Sequence, residues 1–147
     1  EKHKYIGTPF AFLVLQLKNL NKYTKIEICI SDDTEIANDK KKTKKASQKT
    51  LICSNKQSLA RLIDNECSLP LRLAEGWNLI VLDLQSLCKR IFHSQYKHCN
   101  HIKVFSNCRV RRIYFSKYLY QEHQLPEAYK VFAMRNPLLI HSQQIVQ

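Results

Sequence analysis

Between Thr24 and Ser31 the chain alternates with a strict period of two, Ile26, Ile28 and Ile30 falling on one side and Lys25, Glu27 and Cys29 on the other. That period belongs to a β-strand with one face on a core and one in water; wound into a helix, the isoleucines would scatter around the cylinder. The pattern commits the chain to a sheet with a covered face. Residues 77–84 extend the commitment, because Trp77, Leu79, Ile80, Val81 and Leu82 are apolar almost without interruption, as in a strand covered on both faces. Residues 10–20, with Phe12, Leu13, Val14, Leu15 and Leu17, are likewise apolar on both sides. A turn at 19–22 leads us to expect an antiparallel hairpin between this segment and 24–31.

The remaining segments are shorter. Ser31-Asp32-Asp33 is expected to stop the isoleucine strand, and the Lys-rich stretch 38–48, which has no hydrophobic period, to form an exposed loop. Residues 50–54 suit a short strand, and 58–65 fit either a helical turn or an irregular connection. Leu69, Leu71 and Leu73 share a face, with Pro70 best placed at a sheet edge or strand start because it lacks an N–H. Leu84, Leu87, Cys88, Ile91 and Phe92 follow helical spacing and predict a short helix covering the sandwich. Residues 101–106 and 108–115 read as strands joined at Ser106-Asn107, with Asn107 suited to positive φ. In the second of these, alternation pairs Val110 with Arg112 but Arg111 with Ile113 and Phe115, a conflict that a bulge near Arg111 and Arg112 would repair. Residues 121–132 are polar and then mildly amphipathic, and 136–147 read as a tail.

Strands, one or two short helices and no βαβ rhythm indicate an all-β fold, an antiparallel β-sandwich, as one domain over residues 1–135. Its core is expected to hold Ile26, Ile28, Ile30, Trp77, Leu79, Val81, Val110 and Phe115. A chain of 147 residues that is 44% hydrophobic can bury one such core. The longest apolar run, residues 10–15, is strand-sized and far below the roughly 20 residues of a membrane-crossing helix, so a soluble protein without a membrane partner is expected. Glu1-Lys2-His3-Lys4 leads at once into fold-like sequence, which leaves no targeting peptide to judge and an expectation that the true N-terminus lies upstream.

The net charge of +12 favours an anionic partner, for which an acidic protein surface, nucleic acid and anionic lipid all qualify. Five of those charges, Lys40, Lys41, Lys42, Lys44 and Lys45, sit in the Lys-rich stretch. The cysteines Cys29, Cys53, Cys67, Cys88, Cys99 and Cys108 lack the short regular spacings of a disulfide framework, and most have apolar neighbours, which favours reduced thiols in a cytosolic compartment. Cys88, His93, His98, Cys99, His101 and Cys108 crowd into one region, yet no Cys-x-x-Cys or His-x(3–5)-His half-site is paired with a second, so no metal or other cofactor is expected. Catalysis is not expected either. No Gly-flanked serine is present, Gly7 and Gly76 are too few for a phosphate-cradling loop, and nothing local supports a Cys-His pair.

Four stretches, in order, resemble the cilia- and flagella-associated protein 20 family, also called the basal body up-regulated family. They are FLVLQLKNLNKYTKIEICISDD (12–33), CSLPLRLAEGWN (67–78), NCRVRRIYFS (107–116) and LYQEHQLPEAY (119–129), with a weaker fifth at 87–96. The resemblance implies a jelly-roll-like sandwich without catalysis, a microtubule inner protein of ciliary and flagellar doublets and basal bodies. Its partners would be α/β-tubulin and other axonemal proteins at the inner junction, where the B-tubule closes on the A-tubule. It further implies that the family's first strands are missing from this chain and that 38–48 is an insertion. Together with the basic balance, it makes Arg109, Arg111 and Arg112 the candidate contacts for tubulin carboxylates or neighbouring junction proteins. The competing reading is a nucleic-acid-binding module, in which the same arginines meet phosphate and Tyr114 and Phe115 stack on bases; the alternative for those rings is a place in the core.

Overall fold

The computed structural model describes residues 5–37, 44–130 and 138–140. The isoleucine alternation becomes the inner seam of β2 (Thr24–Ala37), where Ile26, Ile28 and Ile30 are at most 1% exposed. On the opposite face Lys25 pairs with Glu27 at 2.7 Å. β2 lies between β3 (Lys44–Ser54) and β7 (Tyr96–Ser106) in a five-stranded sheet completed by β5 (Glu66–Pro70) and β4 (Arg61–Ile63), in the order β4-β5-β3-β2-β7. The second sheet has the order β8-β1-β6-β9, built from β1 (Phe12–Asn19), β6 (Gly76–Asp83), β8 (Arg109–Ser116) and β9 (Leu138–Ile140). Two sheets face to face make the expected all-β sandwich. Most pairings are antiparallel, with β3–β5 and β6–β9 parallel.

Three expectations about connectivity are corrected. β1 and β2 do not form a hairpin: they belong to opposite sheets, and 20–23 carry the chain across the sandwich at a corner where Asn21 takes φ 56°. A strand apolar on both faces is best satisfied inside a sheet, and β1 has β6 on one side and β8 on the other. The Lys-rich loop is shorter than 38–48, since Lys44–Ser54 is one strand paired with β2 from Lys25↔Ser54 to Ala37↔Lys44, across an irregularity between Ser31 and Glu35. Backbone hydrogen bonds sustain that extension without any apolar period in the side chains; residues 38–43 lie outside the described residues. Within the segment read as a tail, Leu138–Ile140 pairs in parallel with Ile80–Leu82 of β6.

Inward-facing leucines of β1 (Leu13, Leu15, Leu17) meet the β2 isoleucines, Leu51, Cys53, Cys67 and Leu69, with Ile80 and Leu82 from β6. The predicted helix is present as α1 (Leu84–Phe92), and its Leu84, Leu87, Cys88 and Ile91 join the same core. Asp83 caps it, its carboxylate accepting from the Ser86 amide at 3.0 Å, and Lys89 and Arg90 sit in the last turn, where cations suit the helix dipole. His93 ends it in the left-handed region. The core assignment needs correction at three positions, Trp77, Leu79 and Val110. β6 directs Ile80 and Leu82 inward, so Trp77, Leu79 and Val81 occupy the outer face; Val81 is buried there, as expected, whereas Trp77 and Leu79 are only half-buried. Val110 is 45% exposed because β8 is an edge strand, whereas Phe115 is partly buried against the core. Asn107 does not take positive φ; among the described non-glycine residues Asn21, Asp64 and His93 do.

Candidate partner-binding surface

The three arginines singled out in the sequence all lie on β8, and a bulge separates their fates. Gln16 pairs with Arg112 and Leu17 with Val110, so Arg111 is the extra residue and the predicted phase repair falls on it. Had the register run on unbroken, Arg111 would have opposed the fully buried Leu17. The bulge spares it that position and leaves it exposed, as is Arg109.

Arg109 opposes Lys18 of β1, and Lys18 opposes Trp77 of β6. Cross-strand partners share a face, so these three residues form a cation–cation–aromatic row across the outer side of the four-stranded sheet. Among the described residues the ion pairs are Lys25–Glu27, Lys49–Asp32 and Lys130–Glu127, none of which neutralises Lys18, Arg109 or Arg111. Reading the sequence missed Lys18 and Trp77 as surface candidates. The available signal was phase, since both stand one residue out of step with the inward leucines and isoleucines of their strands.

Arg112 is diverted. Its guanidinium carbon lies 4.6 Å from the Tyr129 ring centroid, and its Nε is buried without a hydrogen-bond partner. Beside it, fully buried Gln16 donates from Nε2 to the Tyr129 carbonyl at 2.9 Å, while its Oε1 has no partner. Tyr114 meets Tyr129 edge to face at 5.0 Å, and burial, reinforced by Tyr129, raises its phenol pKa against a smaller opposing effect of Arg112. Residues 117–130, including short 3-10 turns at Glu122–Gln124 and Glu127–Tyr129, thus fold over the Arg112 end of the outer face. A cleft of about 430 Å³ remains beside Tyr114, Tyr120, Leu125 and Tyr129. Tyr114 is therefore committed to an intramolecular contact and Phe115 to the core side, which removes both from a base-stacking stripe.

Elsewhere the buried polar groups serve the fold. Asp32, fully buried where β2 becomes irregular, accepts from Ser94 Oγ at 2.7 Å and from the Thr34 amide and hydroxyl, with Lys49 Nζ 3.8 Å away. Cys88 and Cys99 are in the core, and His93 and His101 are exposed, so the crowded Cys/His region does not converge. Among the described residues no three His, Cys, Asp or Glu side chains are placed to hold a metal ion. Burial pushes the thiols of Cys53 and Cys99 up to about 12 and raises those of Cys67 and Cys88, the direction opposite to that of a metal-binding or nucleophilic thiolate.

Comparison with known proteins gives one family. The CFA20 domain matches residues 1–133. The chain is 36% identical over 132 residues to cilia- and flagella-associated protein 20 of Chlamydomonas reinhardtii, covering 90% of this chain and 64% of that protein. It is also 36% identical over 132 residues to the protein of that name from Caenorhabditis briggsae, covering 90% of this chain and 60% of the other, and 35% identical over 127 residues to that of Paramecium tetraurelia, covering 86% and 61%. The chain thus spans less than two thirds of the length of these relatives.

Proposed function

This chain belongs to the CFA20 domain family, and from that premise we propose that it is a non-enzymatic structural protein of cilia and flagella, binding α/β-tubulin at the inner junction of the doublet microtubule. The observation that carries the proposal is the unneutralised row of Arg109 and Lys18 with Arg111 at the adjoining bulge, on a broad sheet face. Cations held on a rigid sheet but left without internal carboxylates suit an acidic protein surface, and many shallow polar contacts suit a subunit repeated along a lattice. The raised thiol pKa values and the structural use of Asp32 support an architectural role over a catalytic one. In this reading the protein occupies the axoneme and basal body, where junction proteins are its other neighbours.

The test removes the protein from a flagellated cell and examines doublet cross-sections and beating, with any paralogue removed in parallel. We expect B-tubules open or weakened at the inner junction, and restoration by the parent protein but only partial restoration by an Arg109→Glu/Arg111→Glu variant. Closed, regularly beating doublets would overturn the proposal.

A further inference from the structure

We propose that the end of the sandwich where four connections converge is a docking surface for a flexible acidic polypeptide, a run of Glu or Asp without fixed structure. This rests on the tubulin-binding reading and narrows it to one surface and one class of ligand. The convergence follows from register. Asn19 opposes Gly76, Lys18 opposes Arg109, Lys25 opposes Ser54, Thr24 opposes Ser106, and Ser54 lies beside Pro70. β1, β3, β5 and β7 therefore all finish at one end, and the connections 20–23, 55–60, 71–75 and 107–108 lie there together.

Charge on those connections is one-sided. They carry exposed Lys22, Lys56 and Arg72 against a single carboxylate, Glu75, and the flanking strand ends add Lys18 and Arg109. None of these cations belongs to an ion pair among the described residues. In sequence they are scattered over some 90 positions, and only the topology brings them together. Such an array stays soluble alone but holds a high density of uncompensated positive charge, which favours a ligand carrying several anions at once.

The aromatic residues nearby decide between two polyanions. A single-stranded nucleic acid needs free ring faces on which its bases stack. Here Lys56 Nζ stands 4.9 Å from the Tyr23 ring centroid and Lys25 Nζ 4.8 Å from that of Phe105, so each ring carries an ammonium group over one face. These two rings hold cations in place, and Trp77, opposite Lys18, is half-buried on the sheet face. Carboxylates spaced along a pliable chain can reach cations on four separate connections, whereas a folded partner would have to match their contour.

The experiment titrates a fluorescent ten-residue polyglutamate peptide into the full chain by anisotropy, with the parent, Lys22→Glu/Lys56→Glu and a Lys89→Glu/Lys97→Glu control on exposed positions of α1 and β7. Melting curves verify that each variant is folded. We expect saturable binding that falls at least tenfold in the first double variant and less than threefold in the control. No binding, an equal loss in both, or tighter binding of a single-stranded oligonucleotide with the same dependence on Lys22 and Lys56 would overturn the proposal. Co-sedimentation with microtubules before and after proteolytic removal of the acidic tubulin tails separates the two readings. Equal binding to both polymers rejects the acidic-segment site and leaves tubulin binding standing; polyglutamate binding without any microtubule binding rejects tubulin and keeps the site.

Discussion

Because the bulge at Arg111 shifts β8 by one residue against β1, Arg109 and Arg112 both face outward, Arg112 beneath Tyr129 and Arg109, like Arg111, in solvent. The three should therefore respond differently to mutation. Arg112→Ala removes a cation–π contact and the packed stem of a half-buried side chain, and should cost about 1–2 kcal/mol in a urea titration while speeding proteolysis within 117–130. Arg109→Glu and Arg111→Glu should change stability by less than about 0.5 kcal/mol, as exposed positions do, yet weaken microtubule co-sedimentation. The thiols supply a second residue-scale outcome. Folding raises the Cys53 and Cys99 pKa from 9.0 to about 12, so the folded state favours the neutral thiol. That contribution is fully present below pH 9 and is lost as pH climbs towards 12. Melting temperature should fall over this window, and less steeply in Cys53→Ala and Cys99→Ala, since alanine has no proton to lose.

At the scale of elements, α1 depends on a single side-chain cap. Asp83→Ala should cost about 1 kcal/mol in thermal or denaturant unfolding, and Asp83→Asn much less, because an amide oxygen can still accept from Ser86. The helix was legible in the sequence because Leu84, Leu87, Cys88 and Ile91 repeat at its own period. The inner face of β2 was legible for the same reason, and the bulge at Arg111 showed itself as a phase conflict. Pairing partners were not legible. Periodicity reports which face of a strand is covered but not which strand lies beside it, so nothing in β1 itself distinguishes β6 and β8 from β2 as its neighbours. Residues 44–48 were missed because their strand rests on main-chain hydrogen bonds with β2, to which side-chain hydropathy is blind. The row joining Arg109, Lys18 and Trp77 was invisible for a related reason: two long-range registers assemble it from three separate segments.

The whole molecule carries a net charge of +12, and charge at that density acts mainly on encounter. With a screening length of about 8 Å at physiological ionic strength, attraction to an acidic lattice is felt only near contact. Raising monovalent salt from about 50 to 200 mM should reduce microtubule co-sedimentation several-fold and leave melting temperature nearly unchanged, because burial rather than surface ion pairing holds the core. The order β8-β1-β6 also bears on biosynthesis. Leu15 finds one neighbour in Ile80 and the other in Ile113, so β1 waits for nearly a hundred further residues of synthesis before both its edges are closed. Non-local pairing of this kind makes assembly slow and leaves a hydrophobic strand open to misassociation meanwhile. A transcript truncated before residue 109 should accordingly yield insoluble chains captured by chaperones, even though all five strands of the five-stranded sheet would already have been translated.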